Sequence, residues 1–171
     1  NGSPLANFTV PGRVTRGQSL ALDDDIRLLS GVPLFKSFTP DQLRLLAFGA
    51  ENMRLAQGQI LYEAGAHADG AFVVAAGSVG LFREDVEGER ALLASAGPGA
   101  MLGELALIAD TVRPTGAVAI QDTELVRLSR RLFHRILQEY PELAAALREH
   151  IAGDLAAMVE KIDALAPRFS K

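Results

Sequence analysis

Ala71-Phe72-Val73-Val74-Ala75-Ala76, then Gly77, then Ser78-Val79-Gly80-Leu81-Phe82 is the stretch that decides the fold: two short apolar runs broken by a glycine. Outward from it the same texture repeats. Ile60–Tyr62, Leu92–Ala94, Ala117–Ile120 and Leu125–Leu128 are further short apolar runs, and ten of the 16 glycines fall between Gly58 and Gly116. Strands at spacings of about 8–12 residues, separated by turn residues, predict an antiparallel sandwich or barrel. Two sheets of them make a jelly roll. The expected fold class is therefore α+β: an antiparallel β jelly roll (double-stranded β-helix) with short N-terminal helices and a long C-terminal helix.

The flanks supply the helices. Residues 1–22 mix Gly, Pro, Ser and Thr without periodicity and read as a flexible arm. Asp23-Asp24-Asp25 suits the positive end of a short helix running through Leu29. Thr39, Pro40 and Gln42 together spell a capping box with proline at the first helical position, and Gly49 a stop. Ser129 is placed to cap a helix from Arg130 to about Gln138, and Pro141 to open a longer one reaching about Leu165. In that last helix Ile151, Leu155, Met158, Ile162 and Leu165 form a narrow seam, with Ala152/Ala156 and Gly153/Ala157 four apart. Such a seam fits a partner helix better than a broad sheet face, which predicts a homodimer through the C-terminal helix. The expected organisation is 1–22 arm, 23–129 helical lead-in and β-roll, and 130–171 hinge and dimerisation helices.

Composition narrows the function classes. The 171 residues carry a net charge of −4, which argues against a nucleic-acid surface, since phosphate neutralisation needs a basic face. Zero cysteines remove disulfides, thiolate metal sites and cysteine nucleophiles. No apolar run reaches the 18 or so residues of a membrane span and no signal peptide opens the chain, so a cytoplasmic protein without a membrane partner is expected. The chain opens on Asn1 rather than Met, the mark of a fragment or processed sequence. His67, His134 and His150 are scattered without paired ligand spacing, which predicts no metal and speaks against a metalloenzyme on the same sandwich. Arg130, Arg131, His134 and Arg135 read as a solvated helix face.

The chemistry concentrates between Gly97 and Gly116. Three glycines lead to Gly103-Glu104, where a short apolar turn of helix (Leu105–Ile108) can start and offer backbone N–H groups to an anion. Nine residues beyond Glu104 stands Arg113, a permanently charged planar fork suited to phosphate oxygens. A carboxylate would repel a free phosphate. It fits if it accepts from sugar hydroxyls while the cation holds the phosphate, so the set describes a pocket for a ribose-linked phosphate. A solvated Glu104–Arg113 ion pair is the plain alternative, worth at most about 1 kcal/mol.

Gly103-Glu104-Leu105-Ala106-Leu107 with Arg113 resembles the phosphate-binding cassette of cyclic-nucleotide-binding domains. Tyr62-Glu63-Ala64-Gly65, Asp69 and Ala76-Gly77-Ser78-Val79 resemble that family's earlier turn and strand signatures. The tail, from Ser129 through Phe133, Tyr140-Pro141-Glu142 and Glu160-Lys161, is similar to the dimer-forming region of the catabolite activator protein family. The resemblance implies that Arg113 pairs with the cyclic phosphate, that Glu104 takes the ribose 2′-hydroxyl, that the Leu105 and Ala106 amides face the same groups, and that Gly103 keeps the backbone close to the sugar. It departs from the family at Pro114, which stands where relatives donate a backbone N–H to the phosphate; Thr115 offers an amide and a hydroxyl instead. Relatives preferring cyclic GMP often carry a hydroxyl at that position, so cyclic AMP is expected over cyclic GMP. Met158 and Val159 match the positions that cover the base, an apolar lid that reads base edges poorly.

The expected function is a non-catalytic, cyclic-nucleotide-binding regulatory domain, with no cofactor, that couples its cassette to movement of the C-terminal helices. Only six residues follow Leu165, so no DNA binding by this chain itself is expected. The alternative is a dimerisation or scaffold module whose pocket has degenerated.

Overall fold

The computed structural model describes residues 16–150, with side chains from Leu22 onward. Helix α1 (Arg16–Ser30) and a 3₁₀ turn (Pro33–Phe35) lead into α2 (Pro40–Gly49). Ten strands follow: β1 (Glu51–Leu55), β2 (Ile60–Tyr62), β3 (His67–Ala68), β4 (Gly70–Ala76), β5 (Val79–Glu84), β6 (Arg90–Ala96), β7 (Met101–Leu102), β8 (Thr111–Val112), β9 (Gly116–Ala119) and β10 (Thr123–Ser129). A second 3₁₀ turn (Glu104–Leu107) separates β7 from β8, and α3 (Arg130–Glu139) follows β10. Residues 141–150 are helical. The rest of the predicted C-terminal helix, including its whole seam with Met158, lies outside the described residues.

The strands form two four-stranded sheets, β1-β10-β4-β7 and β2-β9-β5-β6, plus the short pair β3-β8, and every pairing is antiparallel. This is the jelly-roll sandwich that the glycine-punctuated runs predict. The unbroken apolar run of β4 has a packing reason. Phe72 and Val74 point into the cluster between the sheets with Leu125, Val79 and Ala119, whereas Ala71 and Val73 face the helices with Val126, Leu128 and Phe133. Both faces of that strand are buried, so alternation disappears. Strand β6 behaves oppositely: Leu92 and Leu93 are 61% and 53% exposed, so this predicted apolar run is a strand at a sheet edge and not core.

The helix signals fare unequally. At α2 the capping box forms as spelled, with Gln42 N–H donating to Thr39 Oγ1 at 3.2 Å and Thr39 N–H donating to Gln42 Oε1 at 2.8 Å. Gly49 ends that helix, and a Cβ there would run into the Leu132 side chain of α3. Ser129 caps α3 by accepting from Leu132 N–H at 3.1 Å. The first helix corrects the reading. It starts at Arg16, so the expected arm boundary at Leu22 falls inside α1 and Asp23–Asp25 sit mid-helix. Leu22, Ile26 and Leu29 share one face packed on the helical core cluster, and that packing, not the acidic run, sets the helix.

Candidate functional site

The cassette is hung between backbone anchors. The β3-β8 pair sets His67 opposite Val112 and Ala68 opposite Thr111. Just beyond it, Gly65 N–H donates to the Arg113 carbonyl at 2.7 Å and Arg113 N–H donates to the Ala66 carbonyl at 2.8 Å. The turn at residues 63–66 therefore fixes where Arg113 leaves the chain. Upstream, Met101 and Leu102 pair with Val73 and Phe72 of β4, which fixes the other end of the segment. Gly103 then turns the chain with φ +76 and ψ 37, the left-handed conformation that glycine adopts without steric cost. A Cβ on Gly103 would collide with Nη1 of Arg113, so the missing side chain also makes room for the guanidinium.

Arg113 is 5% exposed. Its Nη2 donates to the Gly70 carbonyl at 2.7 Å, and the guanidinium carbon lies 4.5 Å from the Tyr62 ring centroid and 5.5 Å from that of Phe72. Burial pulls the guanidinium below its ordinary pKa, the neighbouring Tyr62 and Asp69 push it back up, and Arg127 adds to the depression. It stays charged, because a guanidinium is not deprotonated in proteins. Burial likewise raises the Tyr62 phenol, with Arg113 drawing it down. A buried cation carries a large desolvation cost unless something meets its charge, and here a carbonyl and two ring faces do so.

Gly103, Glu104, Leu105, Ala106, Arg113, Pro114 and Thr115 all line one cavity of about 470 Å³, together with Tyr62, Ala68, Leu81, Met101, Leu102, Thr111 and Val112. That volume lies within the range of small-molecule sites. The carboxylate and the guanidinium that the sequence places nine residues apart thus face the same space. Of the two amides singled out, Ala106 N–H already donates to the Gly103 carbonyl at 3.0 Å, closing the 3₁₀ turn. Among the described residues no acceptor takes Leu105 N–H. The turn covers Glu104–Leu107, one residue earlier than the predicted Leu105–Ile108. Met158, the expected lid, lies outside the described residues.

Sequence reasoning missed three contributors: the Tyr62 ring, the Phe72 ring and the Gly70 carbonyl. Tyr62 was legible as a strand end and part of a turn signature and Phe72 as a strand residue, neither as a partner of Arg113, and a carbonyl acceptor leaves no mark in a sequence. Arg130 corrects the expectation of a solvated helix face. Its side chain is largely covered, with Nη1 donating to the Ala109 carbonyl at 2.7 Å and more weakly to that of Ala68 at 3.4 Å; Arg131, His134 and Arg135 are exposed as expected. His67 pairs with Asp110 at 3.1 Å on the surface. Among the described residues, no group of three or more His, Asp or Glu side chains gathers as a metal site, and no helix is long and apolar enough to cross a membrane.

Comparison with known proteins gives the family. The family model for the cyclic nucleotide-binding domain matches residues 52–140. The Cyclic AMP receptor protein of Thermus thermophilus is 31% identical over 80% of this chain, which spans 63% of that relative's length. The lysophospholipase nte1 of Aspergillus oryzae is 30% identical over 79% of the chain, a segment amounting to 9% of that enzyme. A solved cyclic nucleotide-binding-like protein from Brucella abortus is 55% identical, with a TM-score of 0.64, covering 68% of this chain and 99% of its own.

Proposed function

This chain belongs to the cyclic nucleotide-binding domain family, and from that premise we propose that it is a non-catalytic sensor domain that binds 3′,5′-cyclic AMP in the cavity between Tyr62, Glu104 and Arg113. One observation carries the reading. A buried guanidinium, held by neutral partners, borders a cavity that also presents a carboxylate and the start of a helical turn. A cyclic phosphate supplies an anion for the cation, and the ribose 2′-hydroxyl donates to Glu104. The Leu105 amide is the backbone donor best placed to join them, and Thr115 takes the role that Pro114, without an N–H, leaves open. Pro114 also offers no hydroxyl, which favours cyclic AMP over cyclic GMP.

The link to the C-terminal helices runs through the end of the cassette. Leu107 shares the helical core cluster with Phe133 and Ile136 of α3. Arg130, the first residue of α3, holds the Ala109 carbonyl, and its own N–H donates to the Asp69 carbonyl at 2.8 Å. The Asp69 carboxylate in turn accepts from Arg127 at 3.0 Å. A ligand that binds one arrangement of the cassette more tightly than another therefore biases the position of α3, which is the requirement for coupling. Pairing of two copies through the seam that begins at Ile151 belongs to the same reading, and sedimentation velocity at increasing concentration tests it.

Calorimetric titration of cyclic AMP and cyclic GMP, with Arg113→Ala as control, tests the function. Binding that weakens by one to two orders of magnitude in the variant is the expected result. No heat and no thermal shift with either nucleotide at millimolar concentration would overturn it in favour of a dimerisation module.

A further inference from the structure

We propose that Tyr62 is a positioning residue for Arg113: its ring face carries the guanidinium and sets the plane in which the cation meets a phosphate, an assignment that rests on the cyclic-nucleotide reading above. The guanidinium carbon sits 4.5 Å from the Tyr62 centroid, and the Tyr62 and Phe72 rings lie 6.0 Å apart at 31°. A ring attracts a cation through its face and leaves the in-plane N–H donors available. Of those donors, Nη2 is taken by the Gly70 carbonyl, while Nη1 lies against Gly103. The guanidinium is thus located by a carbonyl, a glycine and two rings, of which Tyr62 at 4.5 Å is nearer than Phe72 at 5.5 Å.

Tyr62 ends β2, immediately before the turn that fixes the Arg113 backbone. The same short segment therefore anchors both the main chain and the cation of this residue. An aliphatic side chain at this position would fill the volume but would not answer the charge. The guanidinium would then keep its hydrogen bond to Gly70 and the more distant Phe72 ring, and be held less tightly in its plane. A phosphate would have to order it at the moment of binding, at a cost in affinity.

Full-chain Tyr62→Phe and Tyr62→Leu test this, with Tyr62→Met held for the case in which leucine lowers the melting temperature severely. In the ligand-free protein, NMR signals of the Arg113 side chain should show a ring-current displacement that survives in Tyr62→Phe and shrinks in Tyr62→Leu and Tyr62→Met, where only the Phe72 ring at 5.5 Å remains. By calorimetry, Tyr62→Phe should bind cyclic AMP within about twofold of the parent, and Tyr62→Leu about tenfold more weakly. In an Arg113→Ala background the leucine substitution should cost nothing further, because the two residues act as a unit. Unchanged Arg113 signals in Tyr62→Leu, or an equal loss of affinity in both backgrounds, would overturn the assignment. If the parent protein binds no cyclic nucleotide, the functional reading fails, while the ligand-free spectra still decide whether Tyr62 holds Arg113.

Discussion

Two cavities of this molecule invite comparison. The larger, about 690 Å³, lies beside α1 and is lined by Asp24, Asp25, Arg27, Asn52, Arg54 and Glu124 among others. Several of its polar groups are paired within it. Asn52 Nδ2 donates to both Asp25 carboxylate oxygens at 3.3 and 3.0 Å, and Arg54 pairs with Glu124 at 3.1 Å. The smaller cavity, about 470 Å³, holds Arg113, whose charge is met by a carbonyl and by rings. Volume therefore does not mark the site. What distinguishes the smaller cavity is the sign of its buried charge: a cation touched by a carbonyl and two rings, where the larger cavity buries the Asp25 carboxylate against the Asn52 amide.

Substitutions in the two cavities should separate them, beginning with the strongest. Gly103→Val places a β-branched residue at φ +76 and drives its Cβ into Arg113. It should reduce cyclic AMP affinity by about two orders of magnitude or more and stability by about 1–2 kcal/mol, read by calorimetry and thermal melts. Arg113→Ala should reduce affinity by about ten- to a hundredfold. Glu104→Gln keeps the shape and removes the negative charge facing the sugar, so a loss of about fivefold is expected, smaller still for the 2′-deoxy analogue. If the analogue lost as much as the parent ligand, Glu104 would not be reading the 2′-hydroxyl.

Asp25→Asn, in the larger cavity, should leave cyclic AMP affinity within about twofold, since charges so far from the ligand are not coupled to it. Its effect belongs to stability. Burial raises the Asp25 carboxyl above 3.8, the Asn52 hydrogen bonds lower it, and Asp24 raises it again. A raised carboxyl binds its proton more tightly in the folded chain. Stability is therefore lost as pH rises from 3.8 through the raised value, and Asp25→Asn should flatten that slope in melts recorded across the range. An unchanged slope would mean that Asp25 titrates normally.

The same contrast shows what a sequence can convey. Local chemistry was legible. The Thr39–Gln42 box, the Ser129 cap and the glycine turns each depend on residues within four positions, and the structure forms all of them. The spacing of Gly103, Glu104 and Arg113 was legible because one short segment carries it, and all three line one cavity. Partnerships across the fold were not. Arg130 looks like any helix-surface arginine until Ala109 comes within 2.7 Å. Tyr62 and Arg113 are 51 positions apart and meet only because two turns pair. The face that Leu22, Ile26 and Leu29 of α1 share is set by packing against the helical core, which no local signal records.

The most direct test is to follow the backbone amide signals of the isotopically labelled chain as cyclic AMP is added. The account predicts that the largest displacements fall on Gly103–Ala106, Arg113 and Thr115, with smaller ones on Tyr62 and the first turn of α3. Displacements centred on Asp24, Asp25, Asn52 and Arg54, or none at millimolar ligand, would contradict it.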